Sequence, residues 1–244
     1  MLKLIETEFL KLRRRKLVWF LLLAALIMPF MAFLLFKYRG DIGVEPIQFY
    51  KWSAFGYTLF IILPVILGIF GTMLIHEEKH NDLLKQLWII PVSKLEYFFS
   101  KFIVVLLYSV IFMLITAIAS VLFSVLPGYV GFEWESVLYL LERCFEIGVL
   151  TAFAMLPVLA IAASGKGYIL PICVTLVYAF CGFIFMSIYM YLLPLTSSAV
   201  IVMRNKDIPG IVFSQPINIP LAFLCICVWD IAAVLFAKIA LKEK

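Results

Sequence analysis

Long runs of apolar residues, separated by shorter polar segments, dominate the hydrophobic pattern of this chain. Six runs are long enough to cross a bilayer, because a helical span needs about 20 apolar residues to cross about 30 Å of hydrocarbon. These predicted spans cover residues 17–36, 54–75, 102–126, 144–163, 168–193 and 218–237. Backbone groups in lipid must be satisfied within each segment, and runs of this length achieve that as helices. The pattern therefore predicts an all-α integral membrane protein with six transmembrane helices.

The composition of the 244-residue chain supports this assignment to the membrane. Hydrophobic residues make up 65% of the chain and charged residues only 14%, whereas a soluble domain carries about a quarter charged residues. A transmembrane β-barrel does not fit, because barrel strands are short and alternate polar with apolar residues. The sequence contains no long-period repeat and no linker, so we expect a single transmembrane domain over residues 1–244.

The distribution of basic residues predicts the orientation of the spans. If the N-terminus lies inside, 14 of the 20 Lys and Arg residues fall in inside segments and 6 in outside segments. Cytoplasmic loops carry the excess of Lys and Arg, so this distribution favours both termini in the cytoplasm. The acidic, Lys-free loop 127–142 then falls outside. The net charge of +5 therefore reflects membrane topology, and we expect no nucleic-acid partner.

Residues 1–16 predict a short amphipathic helix ahead of the first span. Their apolar side chains recur at spacings of three, four and three along one helical face: Leu2, Ile5, Phe9 and Leu12. Four consecutive basic residues follow, and each adds about 1 kcal/mol of attraction to anionic lipid near the surface. We expect a helix that lies on the inner leaflet and contacts membrane lipids. The simpler alternative is a positive-inside anchor with no further role.

The segment from His76 to Lys101 is charged and amphipathic, and it lies between the second and third predicted spans. Its large apolar residues form a patch on one short helix: Leu83, Leu84, Leu87 and Trp88. Pro91 interrupts that helix, because proline disfavours helix in the residue before it. Ser93 can cap a following helix, with Glu96 in the capping-box position, and that helix continues through Lys101 into the third span. The exposed apolar patch predicts docking into a protein groove or the membrane interface.

The sequence His76-Glu77-Glu78-Lys79-His80 matches H-E-x-x-H, the signature of zinc proteases. On a helix His76 and His80 share a face and can bind one zinc ion, while Glu77 can act as the general base. These are the only two histidines of the chain, so a third ligand would have to be a carboxylate from elsewhere. We therefore expect no metal site, and a membrane-embedded zinc metalloprotease is the alternative function.

Three ionisable residues in or next to predicted spans are candidates for a substrate path or gate. Asp230 lies midway along the last span, where inserting a carboxylate costs roughly 2.5–3.5 kcal/mol, so it must face the bundle, a water-filled cavity or a partner subunit. The alternative without a role in transport is a hydrogen-bonded link between helices, or a protonated acid. Arg143 and Glu146 lie near the outer end of the fourth span, three residues apart. They can form an internal ion pair, or contact a cationic substrate as part of a gate.

The chain contains no ATP-binding motif of its own. Gly165-Lys166-Gly167 is similar to a fragment of a phosphate-binding loop, but residue 160 is Ala and the lysine is followed by Gly instead of Ser or Thr. These three residues indicate a tight turn between the fourth and fifth spans. We therefore expect no enzymatic activity and no cofactor in this chain, and any ATP must be bound by a partner.

The charged segment resembles the one that follows the second span in the permease subunits of type-2 ABC exporters. That family has a Glu-led charged stretch, a Leu-rich short helix, a Pro-Val-Ser sequence with a basic residue, and a Lys entering the third span. The matching residues are Glu77, Glu78, Leu83, Leu84, Leu87, Pro91, Val92, Ser93, Lys94 and Lys101. The start of the chain resembles the family's elbow helix through Glu8, Phe9, Lys11 and Arg13–Lys16. The most similar permeases belong to bacitracin and lantibiotic resistance systems.

This resemblance implies a half-transporter that pairs with a second permease copy and with two cytosolic ATPase subunits, which bind ATP and Mg. It implies that residues 76–101 couple to the ATPase through Glu77, Glu78, Leu83, Leu84, Leu87, Trp88, Pro91, Val92, Ser93 and Lys94. It implies an elbow helix over residues 1–16 that includes Phe9, Leu12, Arg13, Arg14 and Arg15. Segment 194–217 is then an outer interfacial segment, similar to the re-entrant helices that cap the family's exit path.

The implied function is export of peptide antibiotics, drugs or lipid-linked compounds across a bacterial cell membrane. Besides the zinc protease, a stand-alone carrier that uses Asp230, Glu146 and an ion gradient stays open. The three candidate functions differ in their requirements: the exporter permease needs a separate ATPase, the protease needs bound zinc, and the carrier needs neither. The match across residues 77–101 favours the exporter permease.

Overall fold

The structure is a computed structural model of the chain, and it describes residues 2–13, 15–40, 44–80, 93–165, 167–186, 188–204 and 216–242. At positions 2–4, 13, 77–80, 241 and 242 it describes the backbone only. Throughout these ranges the regular structure is helical, with no β-strand. In chain order the α-helices are α1 (Leu2–Arg13), α2 (Lys16–Leu23), α3 (Ile27–Arg39), α4 (Pro46–Tyr50), α5 (Leu63–His80), α6 (Lys94–Val125), α7 (Trp134–Ala154), α8 (Leu156–Ser164), α9 (Ile169–Phe185), α10 (Pro194–Val202) and α11 (Ile219–Lys242).

Five helical stretches in the described ranges are long and apolar enough to cross a membrane. They are Lys16–Arg39, Pro46–His76, Lys94–Val125, Trp134–Ser164 and Ile219–Ala240. They correspond to the first, second, third, fourth and sixth predicted spans. A 3₁₀ turn at Ala24–Leu26 joins α2 to α3 within the first stretch. The chain is therefore an α-helical, multi-pass membrane protein in architecture, as the sequence predicts.

The predicted fifth span, 168–193, contains a shorter helix than expected. Helix α9 ends at Phe185, and its 17 residues reach about 25 Å, against about 30 Å of hydrocarbon. The chain then turns and enters α10 at Pro194, a residue suited to the first helical position because the N–H it lacks would have no partner there. The apolar run continues through this turn, so hydropathy alone does not reveal where the helix ends.

Two segments that the sequence assigns to loops contain helix. The predicted loop 127–142 becomes helical at Trp134, where α7 begins. The residues between the first two predicted spans include α4 and a π-helical turn at Lys51–Phe55. The second and fourth spans are consequently 31 residues long each. Both extensions mix polar with apolar residues, so they do not belong to a continuous apolar run and the sequence did not predict them as helix.

Helix α6 is the central element of the bundle and contacts α1, α3, α5 and α7. Two of its hydroxyls donate hydrogen bonds to backbone carbonyls of neighbouring helices, Tyr108 to Val18 at 3.2 Å and Ser109 to Gly148 at 2.7 Å. A Cβ at position 148 would lie 3.1 Å from Cα of Val110, so the glycine allows α6 and α7 to approach closely. Small residues and interhelical hydroxyl bonds hold helices together where lipid offers no hydrophobic driving force.

Helix α10 lies inside the bundle. All nine of its residues are buried, and it packs against α7, α9 and α11. The sequence predicts helices resting in the outer interface over 194–217, and within that segment the structure has one helix, Pro194–Val202, packed among its neighbours. Burial is possible because α10 carries no charge and its hydroxyls bond locally: Thr196 donates to the Leu193 carbonyl at 2.7 Å, and Ser198 to the Leu195 carbonyl at 2.8 Å.

Candidate functional site

A buried ion pair joins α1 to α6. The Nζ atom of Lys101 lies 2.5 Å from Oε2 of Glu8, although the residues are 93 positions apart in the sequence. Lys101 is 1% exposed and Glu8 is 4% exposed. Each of these charges requires the other, because burying either one alone costs several kcal/mol. The pair therefore fixes the position of α1 on the first turns of α6.

Two further side chains surround this pair. Lys11, one helical turn further along α1, places its Nζ atom 2.9 Å from Oε1 of Glu8. The Lys101 ammonium lies 5.3 Å from the centre of the Tyr97 ring, within range of a cation–π attraction. Glu8 thus accepts hydrogen bonds from one lysine on each helix. We refer to Glu8, Lys11, Tyr97 and Lys101 as the α1–α6 junction.

A capping box fixes the start of α6, as the sequence predicts. The Ser93 hydroxyl accepts from the Glu96 N–H at 3.2 Å, and the Ser93 N–H donates to Oε2 of Glu96 at 3.1 Å. Lys94 is the first residue of the helix, which continues without a break through Lys101 to Val125. Both predictions are confirmed. The capping box and the junction together define the first two turns of α6.

Most of the predicted coupling residues lie outside the part of the chain that the structure describes. These are Leu83, Leu84, Leu87, Trp88, Pro91 and Val92. Glu77 and Glu78 lie on the last turn of α5, where the structure describes the backbone only. The described chain therefore reaches both ends of the predicted coupling segment, through α5 on one side and Ser93 on the other.

The predicted elbow residues fall on α1 and just beyond it. Leu12 is buried, whereas Phe9 is 38% exposed. Arg15 is partly exposed, Arg13 is described by its backbone, and Arg14 lies outside the described residues. Helix α1 therefore has one side packed against protein and another, with Phe9, left open.

His76 lies on α5 and is 2% exposed, with its ring centre 4.7 Å from that of Tyr168. It shares one helix with His80, as the H-E-x-x-H pattern requires, although the His80 side chain is not described. In the part of the chain with described side chains, no group of three or more His, Cys, Asp and Glu residues could hold a metal ion. One contact of His76 is aromatic packing against Tyr168, at the start of α9.

A second charged cluster links α7 to the end of α10. Nη1 of Arg143 donates to Oε2 of Glu146 at 2.7 Å, which confirms the predicted internal ion pair. The other carboxylate oxygen accepts from Arg204, a residue just beyond α10 that the sequence did not implicate. Arg204 also donates to the Ile201 carbonyl at 3.0 Å, and a cation is favourable at a helix C-terminus. Glu146 thus holds one arginine from each side of this contact.

Tyr178 holds the opposite end of α10. Its hydroxyl donates to the Ala154 carbonyl at 2.8 Å and accepts from the Leu195 N–H at 3.2 Å. The side chain therefore connects α7, α9 and α10. The buried helix is consequently held at both ends by polar contacts.

Asp230 is partly buried, and one of its carboxylate oxygens lies in the bundle, one of the orientations expected from the sequence. Its Oδ1 atom is buried and, among the residues that the structure describes, has no hydrogen-bond partner. The residue before it, Trp229, donates to the Leu192 carbonyl at 3.1 Å. Buried carboxylates in membrane helices are rare and mark functional positions, because their burial costs free energy that packing does not recover. Asp230 and Glu146 belong to opposite ends of α10, so the structure does not join them in one site.

A comparison with family models decides the identity of the chain. The model of the ABC-2 family transporter protein matches residues 4–182. The chain belongs to the ABC-2 transporter family. It is thus a permease subunit of an ABC transporter, and such subunits associate with ABC ATPases. A comparison with curated proteins gave no significant match.

The ABC-2 match covers α1 to most of α9, including the α1–α6 junction. It ends before α10 and α11, so Arg204 and Asp230 lie beyond the matched range. Sequence reasoning identified Glu8 and Lys101 separately as positions shared with related permeases, but it did not pair them. The available signal was a lysine at the start of an apolar span, since a buried cation needs an anion. Arg204 gave a weaker signal, as the first of two basic residues after a short apolar stretch.

Proposed function

We propose that this ABC-2 permease is the membrane half of an exporter that moves peptide antibiotics, drugs or lipid-linked compounds, for resistance or self-protection. In this proposal two ATPase subunits bind ATP and Mg, and two permease subunits form the pathway in a bacterial cell membrane. Membership of the ABC-2 family supports the transport role. Resemblance of the opening residues and of segment 77–101 to resistance permeases supports the substrate class.

The α1–α6 junction is the observation that carries the proposal. The proposed ATPase-docking segment, 76–101, ends in the first turns of α6, where Lys101 is paired with Glu8. A displacement of this segment therefore moves α1 and α6 together, because separating the pair would leave two uncompensated buried charges. This mechanical connection supports segment 76–101 as the coupling segment. It also supports α1 as an elbow helix that lies on the inner leaflet.

We infer six crossings with both termini in the cytoplasm. Helix α9 is the crossing that falls short of the usual length, and a short hydrophobic helix can span a bilayer that thins locally around it. An even number of crossings agrees with the inside excess of basic residues. In this topology α10 re-enters the membrane, starting beside Tyr178 in the interior of the bundle and ending beside Glu146.

We infer that α10 forms the gate of the exit path, with Asp230 and the pair Arg143–Glu146 at its two ends. The burial of all nine residues of α10 supports a plug, and the ionic contact of Arg204 with Glu146 supports a closed position. Breaking that contact frees the end of α10 from α7. In this proposal a substrate that passes α10 meets the carboxylate of Asp230.

Replacing Leu83, Leu84 and Leu87 together with Ala tests the proposed docking segment. We expect transport and the permease-dependent ATPase rate to be lost, while membrane insertion is retained. Buried anchor side chains of a protein interface each contribute about 2 kcal/mol or more, so loss of three should break the contact with the ATPase. The measurements are the ATPase rate of the purified complex and efflux from cells.

A matched control removes three leucines at the other end of α6 and on α7. Leu122, Leu126 and Leu138 are 50%, 80% and 60% exposed, and their replacement with Ala should leave the ATPase rate unchanged. An unchanged rate in the docking variant, with both variants inserted at the same level, contradicts the coupling assignment.

A further inference from the structure

An apolar groove of about 460 Å³ lies between α3 and the start of the second span. Its size falls within the range of about 300–1,000 Å³ that is usual for small-molecule sites. Five of its eight lining residues are methionine or aromatic, and the other three are aliphatic: Met28, Met31, Tyr38, Trp52 and Tyr57, with Ala32, Leu34 and Leu35. Methionine side chains adapt to irregular and flexible partners. The groove therefore suits a flexible apolar chain better than a rigid polar ligand.

Irregular backbone at the start of the second span lies between two aromatic residues of the groove, Trp52 and Tyr57. The Gly56 N–H donates to the Lys51 carbonyl at 3.1 Å, the five-residue spacing of a π-helix. The π turn contains Trp52 and ends at Phe55, and a bend at Gly56 separates it from Tyr57. Both aromatic residues line the groove. Such turns are frequent at functional sites, which supports a binding role for this groove.

A basic residue, Arg39, lies at the C-terminal end of the same face of α3. Ala32, Leu35 and Arg39 follow each other at spacings of three and four, so they share one face of the helix. Arg39 is exposed at the last residue of α3. Lys37 is directed elsewhere, because its Nζ atom lies 5.9 Å from the centre of the Phe33 ring. An apolar groove that ends at an exposed arginine matches an amphiphile with an apolar tail and an anionic head.

We propose that this groove binds one anionic phospholipid, with an acyl chain along α3 and the phosphate group at Arg39. Tyr38, beside the arginine, is an aromatic residue of the type that anchors at the membrane–water interface. A second copy of the chain fits this surface less well. If the same face of two copies met across a two-fold axis along the membrane normal, the two Arg39 side chains would lie close together at the same depth and repel each other.

The test uses Trp52 as the reporter. A full-length variant with Trp19→Phe, Trp88→Phe, Trp134→Phe and Trp229→Phe leaves only this tryptophan, and it is reconstituted with brominated phosphatidylglycerol or brominated phosphatidylcholine. We expect half-maximal quenching of Trp52 at about a fivefold lower fraction of the anionic lipid, the effect of one basic residue near the surface. Arg39→Gln should abolish this preference.

Lys37→Gln is the matched control, since it removes a charge from another face of the same helix, and it should preserve the fivefold preference. Equal quenching by both lipids overturns the proposal and indicates ordinary lipid contact. Quenching by neither lipid overturns it as well, and indicates that a second copy of the chain covers the groove. Fluorescence quenching does not require transport. The lipid-binding proposal can therefore fail while the proposed export function holds, and the reverse.

Discussion

The contact between Glu8 and Lys101 is the residue-scale feature on which the proposed coupling depends. Both residues are buried, and their side chains meet at 2.5 Å between α1 and α6. The sequence contains 15 acidic and 20 basic residues, and no local spacing connects two of them across 93 positions. Sequence patterns therefore identified Glu8 and Lys101 as residues of interest but did not predict that they form a pair.

Exchanging the two charges tests this pairing. Glu8→Lys alone places like charges together in a buried site and should destabilise the chain by about 3–5 kcal/mol. The double variant Glu8→Lys with Lys101→Glu should recover most of that loss and of the ATPase stimulation. The measurements are thermal unfolding in detergent and the ATPase rate of the complex.

Lys11→Gln provides the control, because the Lys11 side chain is 42% exposed and exposed pairs contribute about 1 kcal/mol at most. If the double variant is as unstable as the two single losses combined, the two residues do not act as a pair.

The charged cluster at Glu146 illustrates what local spacing can predict. Arg143 and Glu146 are three residues apart on one helix, so their ion pair followed from the sequence and is confirmed at 2.7 Å. Arg204 joins the same carboxylate from 58 residues away. That contact depends on α10 folding back into the bundle, which no local pattern of charges indicates.

At the scale of helices, apolar run length predicted which segments are spans but not where they begin and end. The second and fourth spans gain turns of mixed polar and apolar residues that begin at Pro46 and Trp134, and α9 stops at Phe185 inside an apolar run. Burial of α10 was also missed, because a short uncharged helix can rest on a membrane surface or inside protein with the same sequence. Tertiary packing decides between these outcomes.

Helices α5 and α9 meet at a glycine, and this contact gives a prediction. A Cβ at Gly68 would overlap the side chain of Thr175, so Gly68→Ala should lower the free energy of unfolding by about 1–3 kcal/mol through overpacking. Adding Thr175→Ala to the same chain should restore most of it. Thermal unfolding in detergent measures both effects.

Gly131→Ala is the control for this experiment, because no heavy atom lies within 4 Å of a Cβ built there. Equal stability of Gly68→Ala and the control would show that α5 and α9 are not in close contact at this point.

At the scale of the whole molecule, the family assignment and the architecture agree with the sequence. Composition and apolar runs predicted an α-helical membrane protein, and the ABC-2 match over residues 4–182 gives it a permease role. The last quarter of the chain, with α10 and α11, lies beyond that match. Its proposed gate therefore depends on structure alone: a buried helix, a partly buried Asp230 and the contact of Arg204 with Glu146.

The most direct test of the central claim is to purify the chain from its host in mild detergent and to measure the mass and zinc content of the intact complex. The account predicts two permease subunits with two ABC ATPase subunits and no bound zinc, because this chain supplies the membrane pathway and its partner supplies ATP hydrolysis. A chain recovered without an ATPase and with one zinc ion per copy would contradict it.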